Sequence, residues 1–165
     1  MIADRWGVTP ADIAMNYGCD DVVAAPVMQA WRGVTVHAPA ENVWPWIVQL
    51  RLAPYSYDWI DNLGRRSPQE LQDLPDPVVG SPFMATAGRS VGQVLSVTPG
   101  EQLTARILAS VMSYVVVPAG ADSRLLMKIV MGSGKVFAPL VSMGDLVMAR
   151  RQLLNLKALA ERTAV

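Results

Sequence analysis

The sequence predicts an α+β domain: a curved antiparallel sheet wrapped around a long C-terminal helix, with two short helices after the first strand. Three observations predict it. A strand-period segment near residue 31 is followed by two short helix-period segments. From Val78 onward, short apolar runs alternate with Gly and Pro, the pattern of an antiparallel meander. The chain then closes on a helix-period stretch, from about Ser142 to Glu161, long and apolar enough to cover a sheet.

Residues 1–30 read as an N-terminal extension packing on a domain that runs from 31 to 165. In it, Thr9 is placed to cap a short helix that opens on Pro10, and Gly18, Asp20, Asp21 and Pro26 mark irregular chain. Trp31 to His37 alternates as a strand, with Val34 and Val36 on one face and Thr35 on the other. Val43, Trp46, Ile47 and Leu50 recur at helical spacing, and Pro45 removes one backbone donor from that helix. A second helix is expected over Tyr55–Leu63, stopped by Gly64, then a polar loop to Pro77 with one helical turn around Pro68–Leu71. The strand runs are Val78-Val79, Phe83–Thr86, Val91–Val97, Gln102–Leu108, Val111–Val117 and Arg124–Met131. In the last of these Leu125, Met127, Ile129 and Met131 should face inward, with Arg124 and Lys128 on a solvated face. Gly132–Gly134 should be a loop. On the final helix Leu146, Val147, Leu153, Leu154, Leu156 and Leu159 form a broad apolar face. Its Arg150, Arg151, Lys157 and Arg162 lie where cations suit the helix dipole.

Composition narrows the function classes. The 165 residues are 52% hydrophobic and only 17% charged, so apolar surface is in excess for one domain. A large core, an enclosed cavity or a homodimer interface would absorb it. Nine Met against two Phe favour an adaptable, irregular interior. Fourteen basic and fourteen acidic residues leave no basic footprint, so nucleic acid is not an expected partner. Cys19, the single cysteine, excludes an intramolecular disulfide, and a reduced cytoplasmic location is the simplest expectation. The N-terminus, with Asp4 and Arg5, lacks the apolar core of a signal peptide. The apolar stretch Ile107–Val117 is too short to span a bilayer, so stable membrane insertion is not expected either.

Candidate chemistry concentrates in one aromatic stretch. Trp44, Trp46, Tyr55, Tyr57 and Trp59 can line a pocket entrance, or can pin the two helices to the sheet. Asp58, among these rings, is a candidate general acid or base and equally a helix cap. His37, the only histidine, is a candidate base at a strand end; alone it makes no metal site. Arg106 should face solvent, and Ser110, Ser113 and Tyr114 are polar points on the apolar sheet. Gly132-Ser133-Gly134-Lys135 lacks the spacing of a phosphate-binding loop and reads as a hinge. No dinucleotide fingerprint or nucleophile elbow is present, and no cofactor or metal is expected.

This element order resembles the helix-grip fold. The segment RGVTVHAPAENVWPW, from Arg32 to Trp46, resembles the opening strand and helix of the SRPBCC group of START-like and polyketide cyclase/dehydrase-like proteins. Arg5 to Thr9, Val43 to Trp46, Tyr55 to Trp59, Asn62-Leu63 and Leu153 to Lys157 resemble an uncharacterised bacterial branch of it. The link from Gln49 to Tyr55 is shorter than in those relatives, and the Gly18-Cys19-Asp20 turn differs from theirs. The resemblance implies a cavity between the sheet and the last helix that binds or transports a small hydrophobic molecule: a lipid, a polyketide or an aromatic. Val111, Leu125, Met127, Ile129, Met131 and Leu153 would be its apolar walls, Tyr55, Tyr57 and Tyr114 its orienting hydroxyls, and Trp46 and Trp59 part of its lining. Two other expectations stand beside it. One is a cyclase- or dehydratase-like enzyme; the other is an interaction module whose cavity its own side chains fill.

Overall fold

The computed structural model describes residues 4–133 and 138–163, so Gly134 and Lys135 of the expected hinge lie outside the described residues. Seven strands form one sheet: β1 (Arg5–Trp6), β2 (Met28–Val36), β3 (Pro82–Thr86), β4 (Arg89–Thr98), β5 (Gln102–Ile107), β6 (Ser110–Ala119) and β7 (Asp122–Met131). Their spatial order is β1-β2-β7-β6-β5-β4-β3. All pairs are antiparallel except β1 with β2. The helices are α1 (Pro10–Ala14), α2 (Ala40–Val48), α3 (Asp58–Asp61) and α4 (Ala138–Arg162). The α+β architecture, the meander and the long last helix are as the sequence predicts.

Strand period decides the layers. Val34 and Val36 of β2, Met112, Tyr114 and Val116 of β6, and Leu125, Met127 and Ile129 of β7 all join one core with α2 and α4. Register brings Met112 opposite Ile129 and Tyr114 opposite Met127, so these side chains share the inner face. On α4 the buried stripe is Ala149, Leu153, Leu156, Leu159 and Ala160, at the spacing of one helix face. Val147 and Leu154 fall outside that stripe and are exposed, which narrows the expected apolar face.

Two inner-face expectations are corrected by the same period. Val111 and Val115 point to the opposite side from Met112 and Tyr114, so Val111 is not a wall of the inner space. Lys128 does lie on the outer face, but that face is not solvated. A second apolar cluster of Tyr17, Cys19, Val111, Val115, Leu126 and Val130 covers it, built from the N-terminal segment packed on the sheet.

That segment is fastened by specific contacts. Thr9 and Asp12 form a reciprocal capping box on α1. Asp12 also accepts from Arg124 at 2.6 Å, and Arg124 reaches the carbonyl of Gly7 at 2.7 Å. Gly7 has φ +67° and lies so close to Gly33 that no side chain fits there. The Cys19 amide donates to Ser113 Oγ at 2.9 Å, and Ser113 pairs with Thr104 at 2.7 Å.

The expected helix over Tyr55–Leu63 shortens to α3. Tyr55 has φ +55°, outside the helical region, and its carbonyl accepts from Asn155 of α4 at 2.9 Å. Leu63 and Gly64 are also left-handed and end the helix. The loop that follows contains no helical turn at Pro68–Leu71. It is instead bonded to side chains of α2 and of the turn after it. Gln49 donates to the Glu70 carbonyl at 2.9 Å and accepts from the Gln72 amide at 2.8 Å. The Trp44 indole donates to Asp76 at 2.7 Å. Val78-Val79 is an exposed turn, not a strand.

Candidate functional site

Two concavities flank the Tyr55–Ser56 segment. The inner one, about 140 Å³, lies between the sheet and α4. Met84, Ile107, Met112, Met127 and Ile129 line it from the sheet, and Met148, Ala149 and Gln152 from α4. Pro54, Ser56 and Asp61 line it from the chain around α3, and Tyr114 from β6. Four of these twelve residues are methionines, so the walls are unbranched, polarizable and adaptable.

The polar groups of this cavity form short chains of hydrogen bonds. Tyr114 donates its hydroxyl hydrogen to Gln152 Oε1 at 2.6 Å, and Gln152 Nε2 donates to the Pro54 carbonyl at 2.6 Å. Both side chains are buried, and the pair ties β6 to α4 and to the chain before α3. Ser56 donates its hydroxyl hydrogen to Asp61 Oδ2. Asp61 Oδ1 is enclosed and accepts no hydrogen bond. Burial raises the Asp61 carboxyl pKa above the ordinary 3.8, and the Asp58 charge adds to the rise, against the lowering effects of the Ser56 hydrogen bond and of its own backbone amide.

The outer concavity, about 640 Å³, is a polar cleft between α3, the loop after it and the C-terminal half of α4. Tyr57, Asp58, Trp59, Arg66, Ser67, Gln69, Arg151, Asn155 and Arg162 border it. The Arg151 guanidinium sits 5.6 Å from the centre of the Tyr57 ring. Trp59 is 74% exposed on its rim.

The sequence-derived candidates separate across these places. Met127, Ile129 and Tyr114 line the inner cavity. Leu125, Met131 and Leu153 are core residues beside it. Val111 is on the far face of the sheet. Trp46 is fully buried and meets the Tyr55 ring edge-on, with centroids 6.1 Å apart. Its indole N–H finds no acceptor. Tyr55 is buried too, accepts from Gln49 at 2.7 Å, and has its hydroxyl pKa pushed up to about 12 by burial. Tyr57 and Trp59 belong to the outer cleft.

Neither titratable candidate faces the inner cavity. Asp58 accepts from the Ser67 amide at 2.7 Å and the Ser67 hydroxyl at 2.6 Å, so it fastens the loop to α3. His37 is exposed at the end of β2, 3.1 Å from Asp122. Arg106 is exposed, as its alternation predicts. Asp61, Gln152 and Ser56 carry the polar end of the cavity and were not singled out by the sequence reading. Asp61 gives a weak local signal, lying three residues after Asp58 on the same short helix. Gln152 gives none beyond a polar residue within the apolar stripe of α4.

Among the described residues no group of three or more His, Cys, Asp or Glu side chains is placed to hold a metal. No described helix is long and apolar enough to cross a membrane.

A mostly antiparallel sheet covered on one side by a long C-terminal helix is a helix-grip fold. Solved structures agree. A protein from Mesorhizobium loti superposes with a TM-score of 0.60 at 18% identity, over 84% of this chain and 100% of that one. KanY superposes at 0.55 and 21% identity, over 81% and 97% of the two chains. A polyketide-cyclase-like protein from Corynebacterium glutamicum gives 0.52 at 13% identity, over 84% and 94%. At such identities the likeness establishes the fold alone. No protein-family model matches the chain, and no curated protein matches its sequence.

Proposed function

We propose that the protein binds a small, largely apolar molecule in the methionine-walled cavity between the sheet and α4. The observation that carries this reading is the cavity itself: apolar walls closed at one end by a few placed polar groups. The fold shared with polyketide-cyclase-like proteins supports it, since the cavity lies where the sheet meets the last helix. Volume limits the ligand. About 140 Å³ is well below a drug-sized site and close to an apolar cavity that takes up benzene. A single ring or a short acyl chain is the matching class, smaller than a whole lipid or polyketide. Affinity comes from apolar area removed from water, with orientation from the Tyr114–Gln152 end.

A second reading, a cyclase- or dehydratase-like enzyme, draws on Asp61 and Tyr114 as titratable groups lining one cavity. Native mass spectrometry of freshly purified protein tests both. The binding reading expects a fraction of the chain to carry one small apolar adduct. The enzymatic reading expects an added candidate substrate to return with altered mass. A bare chain that takes up no added small aromatic supports the interaction module with a filled interior and overturns the binding reading.

A further inference from the structure

The outer cleft gathers positive charge in a chain whose charges otherwise balance. Fourteen basic and fourteen acidic residues cancel over the whole sequence, yet Arg66, Arg151 and Arg162 border this cleft against one carboxylate, Asp58. Both oxygens of Asp58 are taken, Oδ2 by the Ser67 amide and Oδ1 by the Ser67 hydroxyl. Glu161, next to Arg162 in the chain, is committed to Lys157 and to the His37 amide. Among the described residues none of the three guanidinium groups makes an ion pair. Arg151 lies over the Tyr57 ring, and Arg162 donates to the neutral Gln69 side chain at 3.3 Å. All three arginines are exposed, so each can turn donors toward a ligand. The cleft, about 640 Å³, has the size of a small-molecule site, and Trp59 stands exposed on its rim.

We propose that this cleft is a second ligand site, separate from the inner cavity, for a small aromatic phosphate: a phosphate monoester drawn by Arg66, Arg151 and Arg162, on a ring that packs against Trp59. The proposal stands whether or not the inner cavity binds a ligand. Charge selects the anion. Three cations against one carboxylate leave an excess of two positive charges, and a phosphate monoester carries about two negative charges near neutral pH. Donor geometry selects it too. Guanidinium groups pair with phosphate oxygens in two-bond forks, and several cations around one concavity reinforce one another where a single exposed pair is worth little. The exposed indole offers a flat apolar face to a ring. The inner cavity is unsuited to the same ligand, because no cation lines it to offset a buried charge.

Phenyl phosphate, phenol and toluene, alike in ring size, are titrated into the full chain by NMR near neutral pH, with inorganic phosphate as a fourth probe. Phenyl phosphate should shift amides at residues 57–59, 66–69 and 151–162. Toluene and phenol, uncharged, should instead shift β6 and β7 around the inner cavity. Arg66→Gln and Arg151→Gln, both at exposed positions, should each weaken phenyl phosphate about tenfold, roughly 1.4 kcal/mol. Arg106→Gln removes the same charge from an exposed site outside the cleft and should change the affinity less than about twofold. Trp59→Ala should weaken phenyl phosphate severalfold and leave inorganic phosphate unchanged. Equal losses in the Arg66, Arg151 and Arg106 variants overturn the proposal, since attraction is then general and not local. Phenol shifting the cleft amides as strongly as phenyl phosphate overturns it too. So does a chain that ignores phenyl phosphate, including one that binds phosphatidylglycerol vesicles instead. Each of these leaves the inner-cavity reading standing; loss of toluene and phenol binding alone leaves this one.

Discussion

Lys128 is a charged side chain on the outer face of a central strand, yet it is only 5% exposed. Its Nζ lies 2.5 Å from Asp20 and 4.8 Å from the centre of the Trp31 ring. The backbone explains the position: β7 alternates, and Lys128 falls between Leu126 and Val130 on the face that residues of the N-terminal segment cover. The ammonium is held by one carboxylate and the faces of two rings, Trp31 and Tyr17. Removing the carboxylate should therefore hurt more than removing the cation. Asp20→Ala leaves a buried charge with only π faces beside it and should cost about 2–3 kcal/mol, less than a fully buried pair because Asp20 keeps some solvent contact. Lys128→Met removes the charge and keeps most of the volume, so it should cost about 1 kcal/mol or less. Urea unfolding of the two variants checks this; an Asp20→Ala variant no less stable than Lys128→Met would overturn the account.

At the scale of elements, the N-terminal segment is built to lie flat on the sheet. Gly18 shows how closely. A Cβ there would run into the Thr104 hydroxyl, which is buried and already paired with Ser113. The adjacent Cys19 amide uses Ser113 as well, and the Gly18 amide donates to Gln102 at 3.1 Å. Gly18→Ala should thus displace the turn and disrupt three contacts at once, destabilising the fold by about 1–3 kcal/mol, as overpacking does. Amide hydrogen exchange should locate the loss in residues 17–23 and in β5 and β6, with the inner cavity spared. Faster exchange confined to α4 would refute that placement. The strands and α4 were legible in the sequence because their burial follows a fixed period, two on the sheet and 3.6 on the helix. The outer cover was not. A strand reports that it has two faces but not that a distant segment will shield the second, so Lys128 lies on the expected outer face but buried, and Val111 packs under the same cover instead of facing inward. The helix at Tyr55–Leu63 was overread because its apolar and aromatic residues fit a helix, while the left-handed backbone of Tyr55 is set by packing on Trp46 and by Asn155.

Taken whole, the sheet has one face shielded by residues of the N-terminal segment and the other closed by α2 and α4, with the cavity on the α4 side. The apolar half of the site could be read from sequence, since Met127 and Ile129 alternate inward on a strand and Tyr114 shares their face through register. Its polar half could not. Asp61 and Gln152 meet there only because α3 and α4 converge across the Tyr55–Ser56 segment, about a hundred residues apart along the chain. The same geometry makes the cavity separable from the fold. Ala149 lines it from α4 and is the smallest side chain on that wall, with Met112 and Met127 among the residues across the space. Ala149→Leu extends the side chain into existing space rather than into packed atoms. If the methionines shift as unbranched side chains can, the added apolar carbon should stabilise the chain by up to about 2 kcal/mol. The same substitution should abolish toluene and phenol binding, because the volume that takes a single ring is then occupied. Denaturant unfolding and the NMR titrations measure the two effects on one sample. Retained toluene binding in a stable Ala149→Leu variant would place the ligand elsewhere, with the outer cleft at Tyr57 and Arg151 the next place to look.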